Sequence, residues 1–174
     1  MHRTGTRGHR GRHYVRAVDL NAVERLLGRL DEAEVGYWVL GGWGVDALVG
    51  GQTRLHRDLD LAIDEDDWDL SIGVVAALGY VVETDWWPVR VELAAPEGWV
   101  DLHPVRFDSS GNGLQAGLDG ATFEYPKEHL TAGLLGGRVV PCVSAAWQVR
   151  AHSGYDPRPH DLHDLEILAE LTGT

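Results

Sequence analysis

The chain has 174 residues, a formal net charge of −12, 44% apolar residues, seven Trp and a single Cys. This describes one folded domain with a real core and excludes a disordered, fibrous or two-domain chain. No apolar run reaches the ~18 residues of a membrane helix, the N-terminus MHRTGTRGHRGRHYVR lacks the apolar centre of a secretory signal, and the lone Cys142 excludes an internal disulfide, so a cytoplasmic protein is expected.

The charge is unevenly spread. Arg3, Arg7, Arg10, Arg12 and Arg16 crowd the start, and the body from Ala17 onward sets ten basic against 27 acidic residues. That body repels a long polyanion, so no nucleic-acid partner is expected, and residues 1–16 read as a basic flexible tail.

Leu20, Val23, Leu26, Leu27, Leu30 and Ala33 follow helical spacing, with Asp19 or Asn21 available as N-cap. Tyr37 to Leu40 reads as a short strand ending in Gly41-Gly42, and Trp43 to Val49 as a short helix closed by Gly50-Gly51. The stretch HRDLDLAI follows as a strand with Leu59, Leu61 and Ile63 on one face and Asp58 and Asp60 on the other. Asp64 or Asp66 then caps a helix whose buried stripe is Trp68, Ile72, Val75 and Leu78. Tyr80 to Thr84 is another strand, and Val89–Leu93 and Trp99–Val105 flank the turn AAPEG as a hairpin. Arg106 to Ala121 is Gly-rich, an exposed loop or irregular hairpin, and Gly136-Gly137 turns into the strand RVVPCV. Ser144 caps a helix through His152, and Asp161 caps a last one carrying Leu162, Leu165, Leu168 and Leu171. The order predicts an α+β fold with a mixed sheet and a small helical C-terminal part.

Two carboxylates on one strand face, about 5 Å apart, repel by roughly 3 kcal/mol at an effective dielectric near 20. A hard divalent cation answers that repulsion, since Mg²⁺ is commonly held by one or two carboxylates together with substrate phosphates. An acidic edge paired with Arg54 and Arg57 answers it too. Gly41-Gly42 between strand and helix is either an ordinary turn or a phosphate cradle at a helix N-terminus. Asp101, set among apolar residues in WVDLHPV, is a third strand acid that completes a metal site if its strand lies beside that of Asp58 and Asp60. There is no P-loop, no kinase motif set and no zinc spacing, and His56, His103, His152, His160 and His163 read as polar-network residues before ligands.

Taken together, YWVLGGWGVDALVGGQTRLHRDLDLAI, WWPVRVELAAPEGWVDLHPV, VVPCVS and HSGYD resemble the small antibiotic-modifying nucleotidyltransferases, most closely the lincosamide nucleotidyltransferases and more distantly the aminoglycoside 2″-nucleotidyltransferases. The resemblance runs from about Tyr14 to the C-terminus. It implies a nucleotidyltransferase fold over residues 17–143 with the helical part 144–174 packed on it, and transfer of AMP from ATP to a drug hydroxyl with Mg²⁺, two ions being expected. It places Asp58, Asp60 and Asp101 at the metal and Gly41 and Gly42 at the phosphates. Trp43, Arg54 and His56 are further nucleotide-site candidates, and Trp87 and Tyr155 are acceptor-site candidates. The general base is open between Asp101 and Glu92, because a metal-bound carboxylate is the poorer proton acceptor. Partners expected are ATP and a small-molecule antibiotic, with homodimerisation left open. The alternatives are an aminoglycoside, another small-molecule, protein or RNA acceptor, or a fold reduced to a ligand sensor.

Overall fold

In the computed structural model, residues 17–153 and 155–173 are described, so the expected basic tail lies outside the described residues. Asp19 caps α1 (Leu20–Glu32) by accepting the Ala22 N–H at 2.9 Å, and Val23, Leu26, Leu27 and Leu30 of the expected stripe are buried together with Ala22, while Leu20 and Ala33 are half-buried against the core. β1 (Tyr37–Val39) leads into α2 (Gly41–Val49), which begins at the glycine pair and not at Trp43. After β2 (Asp58–Asp64), Asp64 caps a short 3-10 turn that feeds α3 (Trp68–Ala77). Of the expected α3 stripe only Val75 is fully buried; Trp68, Ile72 and Leu78 are half-buried against the core.

Then come β3 (Val81–Trp86), β4 (Arg90–Ala95) and the long β5 (Gly98–Phe107). The Gly-rich stretch becomes a hairpin arm, β6 (Gly113–Ala116), paired with β7 (Thr122–Tyr125). β8 (Leu130–Leu135) and β9 (Arg138–Val143) form a second hairpin, followed by α4 (Ala145–Ala151) and α5 (Pro159–Thr172). β8 carries no clear alternation. Its place is fixed by Gly133, where any Cβ would collide with the Ala47 carbonyl of α2, so glycine allows strand and helix to touch. α5 starts three residues earlier than expected, with Arg158 and not Asp161 at the cap position: Pro159 suits a first helical turn, and Asp161 reaches back from the third position to accept the Arg158 N–H at 2.8 Å. Leu168 alone of its leucines is fully buried, because Asp161 and Asp164 take the inward positions.

The strand order is β3-β4-β5-β2-β1-β9-β8, with β6 and β7 appended to β5. β2 runs parallel to β5 and β1 parallel to β9, while the other pairs are antiparallel, so the sheet is mixed and the α+β fold is as expected. Leu59, Leu61, Ile63, Leu93, Val100 and Leu102 bury one face of the sheet in the cluster that contains α1. The alternate residues of β2, β4 and β5 occupy the other face. Among the described residues no helix is long and apolar enough to cross a membrane.

Candidate active site

The register of three strands builds the floor of the site. Asp60 pairs with Asp101 across the parallel β2–β5 ladder, and Asp101 pairs with Glu92 across the antiparallel β5–β4 ladder. Three carboxylates therefore stand in one row on one face, with Asp58 one pleat further along β2. Two arginines brace them. Arg90 is ion-paired with Asp101, lies 3.5 Å from Glu92 and stacks 4.7 Å over the Trp86 ring. Arg57 reaches Glu92 at 3.1 Å and Asp58 at 3.4 Å, and lies 5.2 Å over Trp99. His103 Nε2 lies 3.5 Å from Asp60 and 3.9 Å from Asp101.

This bracing is incomplete. Asp101 Oδ1 is buried and has no hydrogen-bond partner among the described residues, and one ligand atom from each of Asp60, Asp101 and His103 falls within 4.8 Å of the others. Burial, and then the neighbouring Asp60, pushes the Asp58 carboxyl up to about 6. Burial also raises Asp101 against the opposing pull of His103 and Arg90. For His103, burial opposes the charged form, but the Asp60 hydrogen bond and the charge of Asp101 outweigh it, and its affinity for a proton rises. An orphaned carboxylate oxygen among crowded acids fits a hard divalent cation with oxygen ligands.

The crowding makes a prediction for the metal-free protein. A folded-state value of about 6 against an ordinary 3.8 means that the native state holds more protons on Asp58 than the unfolded chain between those pH values. Stability from this group therefore falls as pH rises from about 4 to 6 and stays low above. Two pH units correspond to about 3 kcal/mol, and a side chain exposed by 36% realises only a part of that. Urea denaturation in EDTA is expected to show this pH dependence weakened in Asp58→Asn, which should also be the more stable protein at pH 7.5. Equal slopes in both proteins would remove the electrostatic account.

Beside the acids stands the N-terminus of α2. Gly41 has φ +57°, and a Cβ there would lie 2.5 Å from Asp60 Oδ2; at Gly42 a Cβ would overlap the His56 ring and the Arg54 guanidinium. Among the described residues no side chain caps this helix, so its leading N–H groups are available to an anion next to the acidic row. Gln148 from α4 donates to the Gly41 carbonyl at 3.2 Å and holds the turn. Gly42→Ala is expected to lower kcat/KM at least 10-fold and to cost about 1–3 kcal/mol of stability, as overpacking usually does. Steady-state kinetics and thermal unfolding test both, and wild-type behaviour in each would contradict the close approach.

Arg54 and His56 border the same turn. Arg54 makes two bonds to Asp164 of α5, at 2.8 and 2.6 Å, and this hydrogen-bonded pairing raises its proton affinity further. His56 Nε2 bonds the buried Asp46 at 2.5 Å, while Asp46 also accepts the Thr53 N–H and hydroxyl. Trp43 packs on His56 with ring centroids 4.6 Å apart and is 1% exposed, so it backs the site from the core and makes no wall of it.

A cleft of about 490 Å³ opens over these groups and is closed on the far side by α4 and the start of α5. Gly41, Gly42, Arg54, His56, Asp58 and Asp60 line it, with Tyr155 on the opposite wall. Glu92 and Asp101 are nearly buried below, under Arg57 and Arg90. Trp87 is not brought to the cleft: it is half-exposed and packs on Trp68 with centroids 4.9 Å apart. The sequence reading missed Arg90 as the clamp on Asp101, Asp164 as the partner of Arg54, and Gln115 and Trp147 as cleft residues. His103, set aside as a network residue, faces the acids; its position two residues after Asp101 on one strand was the available signal.

The chain has relatives of known activity. The model of the aminoglycoside-2″-adenylyltransferase family matches residues 22–168. A lincosamide resistance protein of Staphylococcus haemolyticus is 34% identical over 148 residues, 84% of this chain and 92% of that protein. A 2″-aminoglycoside nucleotidyltransferase of Escherichia coli is 41% identical over 44 residues, 25% of each chain. The crystal structure of the lincosamide antibiotic adenylyltransferase LnuA with lincomycin bound superposes with a TM-score of 0.80 at 33% identity, covering 87% of this chain and 97% of that one. ANT(2″)-Ia in complex with adenylyl-2″-tobramycin shares the fold, with a TM-score of 0.68 at 20% identity over 88% and 89% of the two chains.

Proposed function

Since the chain belongs to the aminoglycoside-2″-adenylyltransferase family and is a nucleotidyltransferase, we propose that it transfers AMP from ATP to a hydroxyl of a lincosamide antibiotic, releasing pyrophosphate. The observation that carries the reading is the Asp60–Asp101 pair beside the glycine N-terminus of α2, with Asp60 and the glycines lining the cleft and Asp101 just below it. The lincosamide acceptor is favoured because the likeness to the lincosamide resistance protein runs along nearly all of both chains, whereas the aminoglycoside enzyme is matched over a quarter.

Asp58, Asp60 and Asp101 would hold the divalent cation, Mg²⁺ being the natural choice for an all-oxygen set. When bound, it neutralises charge on the triphosphate and on the departing pyrophosphate. The N–H groups of α2 receive the phosphates, with Arg54 and His56 at their flank. The helical part 144–174 supplies the facing wall, where Tyr155 meets the acceptor. A drug hydroxyl oxygen forms its bond to the α-phosphorus as the bond to pyrophosphate breaks, and its proton passes to a carboxylate. Asp101, with an orphaned oxygen among the cation-facing groups, is the poorer base, which leaves Glu92 for that role.

Glu92→Gln is expected to lower kcat by 10²–10⁴-fold with Mn²⁺ affinity and fold intact. Full turnover would return the role to Asp101. An aminoglycoside acceptor is the second reading, favoured by the family match and by the acids Asp58, Asp60, Asp161 and Asp164 around the cleft, which suit a polycation. Pyrophosphate release with lincomycin against tobramycin separates the two.

A further inference from the structure

The hairpin β6–β7 carries a chain of hydrogen bonds whose polarity can be read from end to end. The buried Tyr125 hydroxyl donates to Gln115 Oε1 at 2.6 Å. Gln115 Nε2 lies 3.3 Å from the Val89 carbonyl and 3.2 Å from His103 Nδ1. A carbonyl can only accept, so the amide NH₂ must face Val89; the reversed amide would set two oxygens against each other. The second hydrogen of the same NH₂ then points at His103 Nδ1, which has to accept it. The ring proton is left on Nε2, the atom that faces Asp60 and Asp101.

We infer that His103 serves Asp60 as an orienting N–H donor, beside Asp101 at 3.9 Å, and not as a metal ligand, with its proton placed by Tyr125 through Gln115. A protonated Nε2 has no lone pair to offer a cation. It directs the carboxylates instead, as outer-shell partners of metal sites do. Tyr125 and Gln115, 1% and 6% exposed, are thus positioning residues. The appended hairpin gains a purpose as well: Gly113 lets β6 lie so close that a Cβ there would overlap Val105 and Phe107, and this brings Gln115 under His103. The catalytic consequence rests on the reading of Asp60 and Asp101 as the cation-facing pair; the proton position does not.

The test is ¹⁵N-histidine NMR on the full-length, metal-free protein at pH 8, followed by titration with Mn²⁺. The neutral Nε2–H tautomer of His103 is expected. In Gln115→Met the tautomer should become mixed and Mn²⁺ affinity fall 10–100-fold. If that variant does not fold, Tyr125→Phe is read in its place, and the wild-type spectrum stands without either. A proton on Nδ1, a doubly protonated ring, or unchanged Mn²⁺ affinity in the folded variant would overturn the inference. Wild-type protein with the Nε2–H tautomer but no Mn²⁺ binding would support the hydrogen-bond chain and remove the cation reading of the acids instead.

Discussion

Asp101→Asn is expected to lower turnover by about 10³-fold or more while leaving a folded protein, the deepest loss at the site. The side chain is 8% exposed and keeps its volume on amidation, so packing is preserved. Arg90 loses its principal partner but still has Glu92 at 3.5 Å and the Trp86 face at 4.7 Å, and these hold it in place. What disappears is the negative charge carrying the orphaned Oδ1. The variant should therefore unfold at nearly the wild-type temperature, bind Mn²⁺ at least 10-fold more weakly and turn over almost nothing. Wild-type kcat with Asn at this position would mean that Asp101 is only a partner for Arg90.

The largest effect on stability is expected from Asp164→Ala. The carboxylate is 2% exposed and bonds Arg54 through both oxygens, so its removal leaves a half-buried guanidinium without its main partner. Breaking such a pair from one side costs about 3–5 kcal/mol. At about 2–4 °C per kcal/mol for a chain of this size, Tm should fall by roughly 6–20 °C. Because Arg54 sits against Gly42, kcat/KM should fall as well. The double variant Arg54→Met, Asp164→Leu separates the two effects: it should recover much of the stability and none of the activity. An unchanged Tm in Asp164→Ala would show that the pair contributes nothing net.

Local patterns carried the fold a long way. The 3.6-residue period of α1, its Asp19 cap, and the alternation of HRDLDLAI are properties of neighbouring residues and appear unchanged in the structure. The site depends on relations between distant residues. That Asp101 stands beside Asp60 follows from a parallel pairing between strands about 40 residues apart, which alternation alone does not specify. Trp43 was open between nucleotide and core because its neighbours in sequence are glycines; the core claims it through His56. Trp87, in the β3–β4 turn, packs on Trp68 at the start of α3, a contact between residues 19 apart. Gln115 had no signal, since its role comes from Tyr125 and His103, each at least ten residues away. β8 was missed for a related reason: its Gly133 is selected by the approach of α2 and not by strand propensity.

The acidic row beside the α2 glycines is proposed to move AMP onto a lincosamide. The most direct measurement is pyrophosphate release from ATP and Mg²⁺ with lincomycin, clindamycin and a panel of aminoglycosides, run beside Asp58→Asn/Asp60→Asn, with mass spectrometry of the drug. Release with the two lincosamides, a drug heavier by one AMP, and loss of both signals in the double variant are predicted. Release with an aminoglycoside alone, or undiminished release from the double variant, would contradict the account.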